Sequence, residues 1–210
     1  NCEDSYFECI PAFVSVDLEG SYSNPFSKFK DFGCFSDVKS DDQAYALGAE
    51  QAELLKELGI NMIFSPVLDL EDNIWQCRTF SDFNYNSKQL SNVARSYIKP
   101  LNEKGIITIA KHYPGKTLIM NDPHMDFVHV TIDDNDLLPF EILSSDVDGI
   151  MVSHSVVDGV LKSYNRPCVV SENVINNLKK DFGGLVVSDE ISMNALSNYY
   201  EENKIVQDQM

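Results

Sequence analysis

Ile106-Ile107-Thr108-Ile109-Ala110 runs directly into Lys111-His112-Tyr113-Pro114-Gly115, and the reading of the fold turns on that junction. The first five residues, apolar and rich in β-branched side chains, have the length and composition of a buried strand. A cation and an imidazole then stand where the strand runs out, and the Pro-Gly pair turns the chain into a loop. Polar chemistry at the carboxyl end of a strand is the habit of parallel α/β enzymes.

Further along the same loop lies Asp122-Pro123-His124. Pro123 keeps Asp122 out of the helical region, so the tripeptide is extended and the side chains of Asp122 and His124 project to one side. A carboxylate on one ring nitrogen fixes the tautomer and raises the basicity of the other. His124 is therefore expected to donate and accept protons near neutrality, with Asp122 as its orienter. Taken locally, the same residues also describe an ordinary surface loop.

The strand-then-polar-group pattern recurs on both sides of this stretch. Residues 12–17 read as a strand ending in Asp17-Leu18-Glu19-Gly20, where Asp17 is either a helix cap or a ligand for hydroxyls. Ala44, Leu47, Ala52 and Leu55 fall at helical spacing within 41–58, with Gly59 as the stop. A second strand follows and ends at Pro66, which has no N–H to give to a ladder. A second amphipathic helix spans 87–104, distorted near its end by Pro100 and terminated by Gly105. Asp148–Val152 leads into His154, which either lines a pocket or bonds neighbouring loops, and Ser171 is placed to cap a helix at 172–180. The last strand runs into Ser188-Asp189, where the carboxylate is either a helix cap or a reactive group.

Five strands, near 12–17, 61–65, 106–110, 149–154 and 184–189, thus alternate with helical patterns, which predicts an α/β fold of parallel (β/α) repeats. A closed barrel of eight such units takes about 250 residues. The 210 residues are accordingly expected to form a single, incomplete barrel domain over 1–210, short of about one strand before and two after. Its open edges and apolar inner face would favour aggregation.

Acidic residues outnumber basic ones 33 to 16, for a formal charge of −17, which repels polyphosphate and argues against nucleic acid as a partner. A neutral sugar fits that charge better. No apolar run approaches the ~20 residues that cross a bilayer, no signal peptide is visible, and the chain lacks an initiator Met. The five cysteines, Cys2, Cys9, Cys34, Cys77 and Cys168, are odd in number and lack CxxC spacing, so neither a disulfide scaffold nor a zinc ribbon is expected, and a Cys2–Cys9 bridge is left open. His129 alternates with apolar neighbours and carries no assigned role, and Trp75 lines a cleft or packs a loop.

Lys111-His112-Tyr113-Pro114-Gly115, with Asp122-Pro123-His124 behind it, resembles the signature of the N-acetylglucosaminidase branch of glycoside hydrolase family 3: Lys-His-Phe-Pro-Gly-His-Gly followed by Asp-x-His. Val16-Asp17-Leu18-Glu19-Gly20, Phe64-Ser65-Pro66-Val67-Leu68-Asp69, Arg78-Thr79-Phe80-Ser81 and Val186-Val187-Ser188-Asp189 are similar to further segments of that family. The resemblance implies a (β/α)8 TIM-type barrel and a retaining exo-β-N-acetylhexosaminidase without cofactor or metal. Its substrate would be a carbohydrate carrying terminal N-acetylglucosamine, with peptidoglycan fragments and cell-wall recycling among the candidates. It also implies Asp189 as nucleophile, His124 as acid and base steered by Asp122, and Asp17, Arg78, Lys111, His112 and His154 as sugar ligands.

Two departures stand out. Ser21-Tyr22 replaces the Gly-Arg that follows Glu-Gly in the family, and Lys116-Thr117 replaces the His-Gly that completes the loop motif. Competing readings are a family 3 β-glucosidase, a sugar-binding homologue without turnover, and a metal-dependent hydrolase built on His112, His124 and Asp189. The last lacks any H-E-x-x-H or comparable spacing. For Arg78 the local alternative is a surface pair with Asp72 or Asp82.

Overall fold

A computed structural model describes residues 12–70, 76–80, 86–115 and 128–192. In chain order its elements are β1 (Ser15–Val16), α1 (Asp41–Glu57), β2 (Met62–Ile63), α2 (Ser87–Glu103), β3 (Ile107–Tyr113), β4 (His129–Ile132), α3 (Asp134–Ile142), β5 (Gly149–Val152), β6 (Val156–Gly159), α4 (Glu172–Asp181) and β7 (Leu185–Ser188). Five strands form one parallel sheet in the order β1-β2-β3-β5-β7. The order never reverses. A doubly wound sheet would carry a switch point, whereas strands that neighbour one another in chain order belong to a barrel wall.

Alternation along the strands separates two apolar layers. Ile63, Ala110, Ile150 and Val152 point into the main core, against the helices. Their neighbours Met62, Ile109 and Met151 are buried on the other face, where Phe64, Ile107 and Val187 pack beside them. The second, smaller cluster is the concave side of the wall. At the sheet's outer strands, Phe13, Val14 and Leu185 are exposed.

The helices follow their sequence signals closely. α1 is capped by Ser40, whose Oγ accepts from the Gln43 N–H, and α2 opens on a capping box between Asn86 and Gln89. Both stop where Gly59 and Gly105 turn to a φ of 73°, a left-handed conformation that costs glycine nothing. Pro100 is accommodated inside α2, in its last turn. The two helices pack against each other, and beneath them Phe35, Phe80 and Tyr97 form a fully buried aromatic cluster. The Phe35 and Phe80 rings stack at 4.8 Å, with Tyr97 tilted against both.

His129, which alternates with apolar neighbours in the sequence, lies exposed in β4, and β4 pairs in parallel with β6 as a separate two-stranded sheet. Two expectations require correction. Ser171 precedes α4 but makes no side-chain cap; its hydroxyl donates instead to the Ser163 carbonyl at 3.3 Å. Cys34 and Cys77, distant by 43 positions, are joined in a disulfide. Spacing rules see only near neighbours, and this pair is made by loops that meet in space.

Candidate active site

Because all five strands run the same way, their carboxyl ends lie on one side, and each delivers a polar group there. Asp17 follows β1, Asp69 lies beyond β2, Lys111 and His112 stand in the last residues of β3, His154 follows β5, and Asp189 follows β7. β3 is the hinge of the arrangement. Its register with β5 slips by one residue between Ala110 and Tyr113, a bulge that takes Lys111 and His112 out of plain alternation. The backbone there is held from β2's side: the Lys111 N–H donates to the Pro66 carbonyl at 3.0 Å, and its own carbonyl accepts from the Leu68 N–H at 2.7 Å. The Ser65–Pro66, Lys111–His112 and Tyr113–Pro114 peptide bonds are cis.

The β1–β3 side is an ionic network. Lys111, 3% exposed, donates to Asp17 Oδ1 at 2.5 Å and also contacts Glu19 Oε1. Glu19, 2% exposed, in turn receives Arg78 through both Nε and Nη2, the latter at 2.9 Å to Oε1. The Arg78 guanidinium also lies over the Tyr22 ring, 5.7 Å from its centroid. Tyr22 occupies a position where the family pattern has Arg. Burial by itself would push the Glu19 carboxyl up, but Lys111 and Arg78, with a smaller contribution from His112, hold it down at about 2. Burial likewise opposes the charge on Lys111, and the Glu19 and Asp17 carboxylates overcome it and raise the ammonium above its ordinary value. Glu19 is the centre of this network and was not among the predicted site residues; its neighbour Asp17 drew the attention, although the segment quoted for the family already contained both.

Across β3 the chemistry changes. His112 Nδ1 lies 3.2 Å from Asp69 Oδ2, and the same oxygen receives the His112 backbone N–H at 3.3 Å. A carboxylate can only accept, so Nδ1 carries the proton and Nε2 presents its lone pair. Asp69, fully buried, was also passed over in the sequence as part of a strand-end motif. His154 is set the other way. Its Nε2 faces the Glu190 carbonyl oxygen at 2.8 Å and must donate, which leaves Nδ1 as a buried acceptor with no partner among the described residues. Burial lowers the His154 pKa, Asp189 and the Glu190 carbonyl work against that, and His112 works with it. The Asp189 carboxylate accepts its neighbour's Glu190 N–H at 2.8 Å, while its own N–H donates to the Val152 carbonyl.

Of the predicted site residues, Asp17, Arg78 and Lys111 are thus brought together in one network, and His112, His154 and Asp189 in a second group beside it. Arg78 pairs with Glu19; Asp72 and Asp82 lie outside the described residues, as do Asp122, His124, Trp75, Cys2 and Cys9. Asp17 is a ligand of Lys111 rather than a helix cap.

Known proteins match this chain over nearly its whole length. It is 28% identical over 201 residues to a β-hexosaminidase of Idiomarina loihiensis, an alignment that takes in 87% of this chain and 59% of that protein. A β-hexosaminidase of Haemophilus influenzae is 26% identical, over 92% of this chain and 60% of the relative. The chain therefore spans about 60% of the length of these relatives. The crystal structure of a family 3 glycosyl hydrolase from Mycobacterium smegmatis superposes with a TM-score of 0.85 at 25% identity, covering 95% of this chain and 67% of that one. The model of the glycosyl hydrolase family 3 N-terminal domain matches residues 3–210. With the unreversed parallel sheet and the polar groups at its strand ends, that match identifies the chain as a member of the glycosyl hydrolase family 3 N-terminal domain family, built on its barrel fold.

Proposed function

We propose that this chain is the sugar-binding and nucleophile-bearing part of a retaining exo-β-N-acetylhexosaminidase that releases terminal N-acetylglucosamine from carbohydrate substrates. Residues 1–210 in this reading belong to one catalytic barrel domain. The observation that supports it most directly is the group at the carboxyl ends of β3, β5 and β7: two imidazoles, one of them with a buried Nδ1 that has no partner among the described residues, and one carboxylate, next to the Asp17–Lys111–Glu19–Arg78 ionic network.

The sugar is held first. Among the described residues Arg78 gives two of its five N–H donors to Glu19 and Lys111 gives two of its three to Asp17 and Glu19, and the other donors serve sugar hydroxyl oxygens. His112 Nε2 and His154 Nδ1 accept from sugar hydroxyls. The Asp189 carboxylate then attacks the anomeric carbon, the bond to the leaving oxygen breaks, and that oxygen takes a proton from His124, steered by Asp122. In the second step His124 takes a proton from water, the water oxygen attacks the same carbon, and Asp189 leaves. An imidazole suits the acid role because it is half-protonated near neutrality, whereas a carboxyl would need its pKa raised. The strand-end surface carries four carboxylates, Asp17, Glu19, Asp69 and Asp189, against the two cations Lys111 and Arg78, and this excess of negative charge favours the oxocarbenium-like transition state.

The test is covalent trapping. The full protein is treated with a 5-fluoro-N-acetylglucosaminyl fluoride, which forms the glycosyl-enzyme faster than water removes it, and the labelled peptide is identified by mass spectrometry. A label on Asp189 is expected. A label on another residue, or turnover by inversion of the anomeric centre, overturns the mechanism, and hydrolysis of β-glucosides in preference to N-acetylglucosaminides overturns the substrate.

A further inference from the structure

We propose that the Cys34–Cys77 disulfide is a positioning device for Arg78, so that its reduction weakens substrate binding while the fold and the nucleophile remain. The inference rests on the reading of Arg78 as a sugar ligand.

Arg78 sits in a turn of only three residues, Gln76–Arg78, too short to fix its own orientation by helical hydrogen bonding. Its place depends on what the turn is tied to. Cys77, immediately before it, is bonded to Cys34, with the two α-carbons 4.3 Å apart. Thr79, immediately after it, bridges in parallel to Val67, whose other side bridges Lys111. Phe80 stacks on Phe35, the residue that follows Cys34. The disulfide and the aromatic stack thus span the same junction, one before and one after Arg78 in the chain.

The junction also reaches the acid that holds Arg78. A β-carbon on Gly20 would lie 2.6 Å from the Cys77 carbonyl oxygen and 2.9 Å from that of Gly33. The backbone next to Glu19 is therefore pressed against the backbone next to Arg78. The Ser21 N–H donates to the Gly33 carbonyl at 2.9 Å, and Asp31 accepts from Ser21 Oγ and from the Gly33 N–H. These bonds make the loop from Glu19 to Cys34 a stiff arm. The disulfide fastens the far end of that arm to the turn that carries Arg78, closing a ring through Glu19, Gly20, Gly33, Cys34, Cys77 and Arg78.

Opening the ring leaves the Phe35–Phe80 stack, the Val67–Thr79 bridge and the Glu19–Arg78 pair in place, so the core persists. It removes the covalent tie that sets where the turn carrying the Glu19–Arg78 pair sits. A dithiol reductant supplies two electrons and two protons: the Sγ–Sγ bond breaks, two thiols form, and the reductant closes to its own cyclic disulfide. Misplacement of a positioning group by 1 Å costs ~100-fold in rate, and a partly retained site is expected to lose about tenfold.

The experiment compares the full protein, oxidised and reduced with dithiothreitol, in hydrolysis of 4-nitrophenyl N-acetyl-β-glucosaminide, with the state of the cysteines read by alkylation and mass. The expected result is a KM about tenfold higher after reduction, a kcat changed less than about threefold, and an unchanged far-UV spectrum. In Arg78→Ala, whose KM is already raised, reduction is expected to add nothing, because the group being positioned is gone. Cys34→Ala/Cys77→Ala should match the reduced protein and ignore the reductant. An unchanged KM in fully reduced protein, the same shift in Arg78→Ala as in the parent, or loss of fold in both the reduced protein and the double variant overturns the proposal. A parental KM in oxidised Arg78→Ala removes Arg78 from the sugar site and the proposal with it, a result recognisable before any reductant is added.

Discussion

The two sides of the strand-end surface are built on opposite rules. Between β1 and β3 every charge meets an opposite charge: Asp17 with Lys111, Lys111 with Glu19, Glu19 with Arg78. Between β3 and β7 the groups are left incomplete. His154 buries an acceptor that nothing among the described residues satisfies, and the Asp189 carboxylate accepts only a neighbouring backbone N–H there. A saturated ionic cluster is rigid because removing any member strands another in low dielectric. An unsatisfied polar atom costs folding energy and is retained where a ligand can complete it. The difference teaches a division of labour, with one side holding its own geometry through paired charges and the other leaving polar atoms open.

The most severe way to break that comparison is Asp189→Asn, which is expected to lower kcat by at least about 10³-fold with little change in KM. Steady-state kinetics on an N-acetylglucosaminide measures it, and a variant that keeps more than a tenth of the activity would show that the reaction does not occur on the open side. Glu19→Ala attacks the saturated side and should cost about 3–5 kcal/mol of stability by leaving Lys111 and Arg78 buried against each other. Asp17→Ala, whose side chain is 54% exposed, should cost less than about 1 kcal/mol. Denaturant titrations of the two variants that give equal losses would remove Glu19 from the centre of the network.

Acid sharpens the same contrast. Glu19 titrates at about 2 in the folded chain against an ordinary 4.5. A carboxyl depressed by folding stabilises above its unfolded pKa, and that stability is lost as pH falls through the folded value. Thermal stability should therefore drop between about pH 4.5 and 2, and Glu19→Gln should flatten part of that drop. A variant whose acid profile overlays the parent's would count against the depressed carboxyl. The smallest effect is expected at His154→Leu. Deleting an unsatisfied buried acceptor should leave stability unchanged or raise it by about 1 kcal/mol, while KM rises. Lower stability together with an unchanged KM would make His154 a structural residue.

Much of this was legible along the chain. The helices α1, α2 and α4 fell where apolar spacing and their glycine or serine boundaries put them, because helix periodicity and end signals are local. The strand ends were legible too, since a β-branched run followed by a polar residue needs no partner to be recognised. Ser171 was misread because its hydroxyl had a nearer carbonyl, at Ser163, than any amide of the helix it precedes. The pairing of β4 with β6 escaped because neither shows its partner in its own four residues.

Local pattern by itself determined that the strands run parallel and that their ends carry carboxylates, imidazoles and cations. Which of those groups touch was decided only by the tertiary structure. Lys111 meets Asp17 across 94 positions, Arg78 meets Glu19 across 59, and Cys34 meets Cys77 across 43. Side-chain periodicity reports which face of an element is buried, whereas contacts at such separations depend on how loops of unequal length cross the end of a sheet. For that reason Glu19, the residue on which the cations depend, looked in the sequence like one more acid in a turn.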